Sequence, residues 1–237
     1  MKKFLILLSL LFLCSPAWAA IALVQTKGLI CAAPAVTCSA TFTSNVTAGS
    51  LIVVQEYAYA STTIGLASDT INGNYTVVSG VGCSGSFCFA TYYFYNSAAG
   101  SDTVTTVRAN TTSSIQMVIS EFSGVMSASD PLDVYDLMGT GTSTTPTSDS
   151  VTLSTSGLVV SMATYNSSSK ALTKGAAYSD LVIVDTLPFG TEYKTTTAGA
   201  TTADWSINTS KAYYVNIVAF KEPAGVVANT TNFFHAD

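Results

Sequence analysis

Between Ser114 and Val134 the chain runs Ser-Ile-Gln-Met-Val-Ile-Ser-Glu-Phe-Ser-Gly-Val-Met-Ser-Ala-Ser-Asp-Pro-Leu-Asp-Val. Ile115 to Phe122 reads as a strand that is apolar on both faces. Ile115, Met117 and Ile119 lie on one side, Val118 and Phe122 on the other. Ser123-Gly124 breaks it, Asp130-Pro131 turns the chain, and a second strand begins near Asp133. A strand with two apolar faces belongs in the middle of a layered fold, with something packed above and below it. Leu51 to Tyr59 and Ala212 to Phe220 have the same character. Such strands predict that the outer face of one sheet is covered, by loops or by a partner.

The rest of the chain is a series of short runs with period-two alternation, punctuated by Gly, Ser, Thr and Asn. Ala22 to Ile30, Val36 to Phe42, Tyr75 to Ser79, Phe87 to Tyr95, Asp102 to Arg108, Leu158 to Tyr165 and Thr191 to Thr196 read as strands. Ile71-Asn72-Gly73-Asn74 carries an Asn-Gly turn signal. Gly139 to Asp149 contains only Gly, Thr, Ser and Pro before its last residue, and reads as a long surface loop within one domain rather than a linker. No segment carries a helical period. The expected fold is all-β, an antiparallel two-sheet sandwich, in a single domain over residues 20–221.

The two ends stand apart from that domain. Lys2 and Lys3, the apolar run from Phe4 to Leu13 and the small-x-small sequence Ala17-Trp18-Ala19 form a secretory signal over residues 1–19. Leu13 is too large to precede a lipidated Cys14, so conventional cleavage is expected. The predicted location is outside the cell or at its surface, with the periplasm as the alternative compartment. Residues 222–237 hold Pro223 and no strand pattern, and are expected to be poorly ordered. The formal net charge is −5 and turns more negative once Lys2 and Lys3 leave. A chain so poor in Lys and Arg neutralises few phosphates, which argues against nucleic acid and against anionic lipid. No second apolar run is long enough to span a membrane.

Four cysteines lie beyond the signal: Cys31, Cys38, Cys83 and Cys88. An even number in an exported chain reads as disulfides. Three pairings exist, and Cys31–Cys38 with Cys83–Cys88 is the expected one, because each pair flanks a short loop-like segment. Zinc is not expected, since the chain has one His and no Cys-x-x-Cys spacing.

The order of motifs carries a resemblance. Ala48-Gly49-Ser50-Leu51-Ile52-Val53-Val54 comes first, then Asp69 to Val77, then Tyr92 to Ser97 before Ala-Ala-Gly-Ser. Glu121-Phe122-Ser123-Gly124-Val125 leads to Asp130-Pro131-Leu132-Asp133, followed by Thr142 to Ser150 and by Val218-Ala219-Phe220-Lys221. This succession resembles a family of uncharacterised secreted bacterial β-sandwich domains of jelly-roll type, surface or accessory in character. The resemblance implies a fold and an extracellular setting, and brings no catalytic residues with it.

His235, the third residue from the end of the tail, cannot serve a Ser-His-Asp or Cys-His mechanism, and no nucleophile elbow, P-loop or dinucleotide fingerprint occurs. Three constellations remain. Glu56 and Glu121 sit in strong strands and could act as the carboxylate pair of a glycan hydrolase. Asp130, Asp133 and Asp136 form the densest acidic cluster, a candidate calcium site in a chain that otherwise needs no cofactor. Tyr93, Tyr95 and Trp205 are the candidate sugar-stacking residues, with Tyr57 and Tyr59 as neighbours. The expected function is a non-enzymatic module that binds a glycan or a protein at the cell surface or assembles into oligomers. A jelly-roll-type hydrolase using Glu56 and Glu121 is the alternative.

Overall fold

The computed structural model describes residues 20–59, 65–78, 83–84, 87–165, 172–184 and 189–224. Residues 1–19, read as a signal sequence, and most of the tail, including His235, lie outside the described residues, which contain strands and turns and no helix. In chain order the strands are β1 (Ala22–Thr41), β2 (Leu51–Tyr59), β3 (Leu66–Asp69), β4 (Thr76–Val77), β5 (Cys83–Ser84), β6 (Phe87–Phe94) and β7 (Thr103–Ser123). They continue as β8 (Leu132–Ser143), β9 (Val151–Leu153), β10 (Gly157–Tyr165), β11 (Ser179–Val184), β12 (Phe189–Thr196), β13 (Gly199–Thr201) and β14 (Lys211–Lys221). All pairings described are antiparallel.

The first sheet is built on β7. Its second half, Ile115 to Ser123, lies between β1 and β2, while its first half, Thr103 to Arg108, lies between the end of β1 and β3. Both long strands bend together, at the register irregularities between Ala32 and Thr37 of β1. The Cys31–Cys38 disulfide spans that bend, with Cα atoms 5.6 Å apart. Cys83–Cys88 joins facing residues of β5 and β6. The bend folds the sheet over itself. The Ser68–Asn74 bridge ties β3 to the residues leading into β4, and β4 pairs with β6, so the seven-stranded sheet nearly closes.

That closure explains the doubly apolar strands. Ile52, Val54 and Ala58 of β2 and Ile115, Met117 and Ile119 of β7 point inside it, against Cys38, Ala40, Ala67 and Val104. Leu51, Val53 and Tyr57 of β2 and Val118 and Phe122 of β7 point the other way, against Leu158, Val160, Met162, Val218 and Phe220 of a second, five-stranded sheet ordered β11-β12-β10-β14-β8. The outer face of that second sheet is covered in turn by Val151, Leu153, Leu172, Ala203, Trp205 and Ile207, from β9 and the loops. The chain thus covers both outer faces itself. Each buried Leu, Ile, Val or Phe contributes about 1.5–3 kcal/mol.

Three expectations are corrected. Ala22–Ile30 and Val36–Phe42 are not two strands: Ala22–Thr41 is one continuous strand. Thr103–Arg108 and Ile115–Phe122 likewise belong to one continuous strand, not two. The Gly139 stretch is not a loop from its start: β8 extends to Ser143, paired with Lys211 of β14. The glycines there serve close approach rather than flexibility. A Cβ on Gly139 would stand 2.7 Å from Ser148 Cα, and one on Gly141 2.8 Å from the Tyr213 hydroxyl.

Candidate functional site

β6 ends at Phe94, and the chain turns away through Tyr95 and Asn96. Asn96 takes a left-handed backbone, φ 56°, which Asn tolerates because its short polar side chain bonds locally. Facing this turn is the hairpin tip that joins β3 to β4. Its organiser is Asp69. One carboxylate oxygen accepts the backbone N–H groups of Ile71 (3.1 Å) and Gly73 (3.0 Å), and also that of Asn72. The other oxygen accepts the Asn72 side-chain amide (2.6 Å) and the Tyr75 hydroxyl (2.8 Å). Gly73 is needed at φ 90°, a backbone that side chains resist.

Asn72 clamps the two turns together. Its amide donates to Ser97 Oγ at 3.1 Å, and its carbonyl oxygen accepts the Ala98 N–H at 2.8 Å. Between the turns lies a notch of about 290 Å³ lined by Asn74, Thr76, Phe94, Tyr95 and Asn96. The side chains of Asn74, Tyr95 and Asn96 make no hydrogen bond among the described residues. Two amides and a phenol thus stand beside half-buried aromatic rings. Amides match the alternating donors and acceptors of sugar hydroxyls, and rings pack against sugar C–H groups.

A larger cleft of about 570 Å³ opens on the far side of the second sheet, lined by Thr173, Lys174, Asp180, Asp204, Trp205 and neighbouring residues. Its polar groups are mostly engaged. Lys174 Nζ donates to the Tyr178 carbonyl at 2.6 Å, and Asp204 accepts from Thr147 at 3.0 Å and from Thr202 at 3.2 Å. Beneath it Glu192 is fully buried and accepts the Gly175 N–H at 2.9 Å. Burial pushes its carboxyl up to about 8, and Gly175 and Lys194 only partly oppose this. The Lys194 ammonium sits 4.2 Å from the Tyr178 ring centre and is itself held below its usual value by burial.

The aromatic candidates separate. Tyr95 lines the notch. Tyr93 is 1% exposed, a core residue whose hydroxyl donates to Asp130 Oδ1 at 2.9 Å, which corrects its expected exposure. Trp205 is 2% exposed and reaches the large cleft only by an edge, because it covers Gly190 and donates its indole N–H to Ser161 Oγ at 3.1 Å. In a run of four aromatics, parity alone does not tell which face is core.

The carboxylate candidates do not converge. Glu56 and Glu121 are both 0% exposed and point inside the first sheet. Glu56 pairs with Arg108 (Nε–Oε1 2.6 Å); burial pushes its carboxyl up and Arg108 pulls it back. Glu121 accepts from Thr47 N (2.8 Å), Ser50 Oγ (2.9 Å) and Gln25 Nε2 (2.7 Å). Glu56 faces Ala90 and Met117, four positions along β7 from Glu121, or roughly 13 Å at the rise of a strand. A hydrolytic pair works at shorter range and in contact with substrate.

The calcium candidates are engaged by three different partners. Asp130 takes Tyr93 and the Leu132 N–H, the ordinary turn-opening role of Asp. Asp133 takes Ser154 N and Oγ, and Asp136 takes Asp149 N. Among the described residues no three His, Cys, Asp or Glu side chains gather to hold a metal. The residues that sequence reasoning missed are Asp69, Asn74, Asn96 and Glu192. The signal for the first two was the Asn-Gly turn, with an Asp three residues before it. No known protein-family profile matches the chain, and no curated protein matches it in sequence.

Proposed function

We propose that this is an exported, non-catalytic β module that binds a neutral glycan in the notch at Tyr95. The fold is taken as a variant of the jelly-roll sandwich in which one sheet has nearly closed. The observation that carries the reading is the set of side chains in the notch: Asn74, Tyr95 and Asn96, with their polar ends uncommitted, grouped beside the Phe94 ring. Polar side chains on a protein surface are common; amides and a phenol converging on a concave aromatic site are what a sugar needs. The two disulfides suit an oxidising compartment, where polysaccharide is a common ligand. A glycan hydrolase built on Glu56 and Glu121 is disfavoured, because both carboxylates are sealed inside the first sheet.

The test is a panel of soluble polysaccharides and hexasaccharides, with binding read by calorimetry and reducing-end release followed in the same samples. Binding without release, weakened tenfold or more by Tyr95→Ala and unaffected by Glu121→Gln, supports the reading. Release lost in Glu56→Gln or Glu121→Gln would replace it with the hydrolase. No binding to any glycan would leave a protein ligand or self-assembly as the module's role.

A further inference from the structure

Behind the notch, the Asp69 hairpin tip meets Asp102, the residue that leads into β7. Asp102 is 1% exposed. One of its oxygens, Oδ1, accepts Thr70 N at 3.2 Å and Thr70 Oγ1 at 3.1 Å. The other, Oδ2, is buried and receives no donor among the described residues. Thr70 is the residue after Asp69, so its two hydrogen bonds seat the buried Asp102 carboxyl against the Asp69 turn, and the Asp69 charge favours a proton on Asp102. Two ionised carboxylates in a buried site repel, whereas a proton on one of them turns it into a donor for the other. Asp69 already accepts five donors on its two oxygens, which leaves it poorly placed to be the donor. The orphaned Oδ2 of Asp102 is the atom left to carry the proton.

We propose that Asp102 and Asp69 share one proton, and that this proton locks the hairpin tip that closes the first sheet and forms one wall of the Tyr95 notch. Loss of the proton sets two buried carboxylates against each other. The strain falls on the Asp69 turn, because Asp102 is fixed from both sides: its carbonyl accepts Phe42 N at 3.1 Å and β7 follows directly. The turn carries Asn72, the clamp to Ser97 and Ala98, and Asn74, the notch wall. Few other titratable groups face the pair. Tyr75, from the same hairpin, donates its hydroxyl to Asp69 and is held far above its usual range by burial and by both carboxylates. Lys27 of β1 points its ammonium at the Thr41 carbonyl, 2.8 Å away. Burial first, and then the Asp69 charge, lift Asp102 to about 6 against the two Thr70 hydrogen bonds. The lock therefore closes below about pH 6 and loosens above it. On the reading of the notch as a glycan site, a sugar that needs the closed wall binds tighter in acid.

The experiment reads the lock without a ligand. Carboxyl-carbon NMR of the full exported chain, in EDTA, follows Asp69 and Asp102 from pH 3 to 8. Hydrogen exchange of the Gly73 and Asn74 amides is measured over the same range and corrected for intrinsic base catalysis. The expected result is a coupled titration with its upper step near pH 6, and protection of both amides that falls at least tenfold across that step. Asp102→Asn, which keeps a donor facing Asp69 but cannot ionise, should hold the protection constant to pH 8. Asp69→Asn is the second variant and should remove the coupling while Asp102 titrates alone. Independent titration of both groups near pH 4 would overturn the proposal. So would protection restored at pH 8 by millimolar calcium, which would make the pair a cation site. Cellohexaose, xylohexaose and mannohexaose binding at pH 5 and 7.5 then tests the linkage. A failure of all three to bind strikes the glycan reading alone, while the NMR result still decides the lock.

Discussion

The hydroxyl of Tyr93 reaches both oxygens of Asp130, at 2.9 and 3.1 Å. This one contact joins a residue that resembled a sugar platform to one that resembled a calcium ligand, and makes each the structural partner of the other. Asp130 opens the turn into β8, and Tyr93 reaches it from β6 with its ring packed edge-on to Phe220, centroids 5.3 Å apart. Replacing Tyr93 by Phe keeps the ring and leaves a carboxylate short of a donor. The expected loss is about 1.5–3 kcal/mol in urea denaturation, the range of a hydrogen bond to a charged group, with glycan affinity unchanged. A large fall in affinity with normal stability would return Tyr93 to the binding face.

Glu192 gives the fold a pH dependence of its own. Its carboxyl titrates near 8 in the folded state, against an ordinary value of 4.5. Between those values the folded chain holds a proton that the unfolded chain has released. Stability therefore falls as pH rises from about 4.5 to about 8, and levels off above that. One proton gives a slope of at most about 1.4 kcal/mol per pH unit. The window from pH 6.5 to 8 isolates Glu192 from Asp102, whose titration is centred lower. Thermal melts across that window should show the slope in the native sequence and lose it in Glu192→Gln, which keeps an oxygen for the Gly175 N–H.

Much of this architecture was legible because it is local. The apolar runs of β2, β10 and β14, the absence of a helical period and the short cysteine loops all depend on residues close in sequence. The union of Asp102–Arg108 with Ile115–Phe122 was not legible. Ala-Asn-Thr-Thr-Ser-Ser between them has the composition of a turn, and only pairing with β1, far away in the chain, makes it a strand. Gly139 and Gly141 looked like loop residues for the same reason: their need is set by Ser148 and Tyr213, not by their neighbours. At the site, Tyr95 could be read from the aromatic run. Asn74 and Asn96 lie on separate turns, and it is the Asn72–Ser97 contact that brings those turns together.

The Glu56–Arg108 pair is closed off from solvent, with both side chains 0% exposed. An ion pair so placed contributes little net stability compared with apolar residues, but half of one is costly. Arg108→Met should destabilise the domain by about 3–5 kcal/mol, because it leaves a buried carboxylate without its cation, with the Tyr92 hydroxyl 3.4 Å away. Adding Glu56→Leu should recover most of that loss. A double variant no more stable than the single would mean that the pair fixes the packing of β2 against β7, and is not merely tolerated there.

A buried polar belt crosses the interface of the two sheets. Asn216 of β14 donates to Thr91 Oγ1 of β6 at 3.1 Å and accepts Met162 N at 2.9 Å, so its amide is used. Gln55 and Gln116, on the same face of the first sheet, are buried at 1% and 0%, and neither their amide nitrogens nor their oxygens find a partner among the described residues. They sit on adjacent strands in diagonal positions, since Gln55 faces Val118 and Gln116 faces Tyr57. An unmatched buried amide costs about 1–3 kcal/mol, whereas an apolar side chain of the same shape carries no such penalty. Gln116→Met, of similar length and volume, should therefore raise the urea midpoint, and Gln55→Met added to it should raise it further. The Asn216→Leu control should do the opposite, because it strips a partner from Thr91 and from the β10 backbone. If both Gln variants lower the midpoint as Asn216→Leu does, the belt is a satisfied network and the two amides hold the sheets in register.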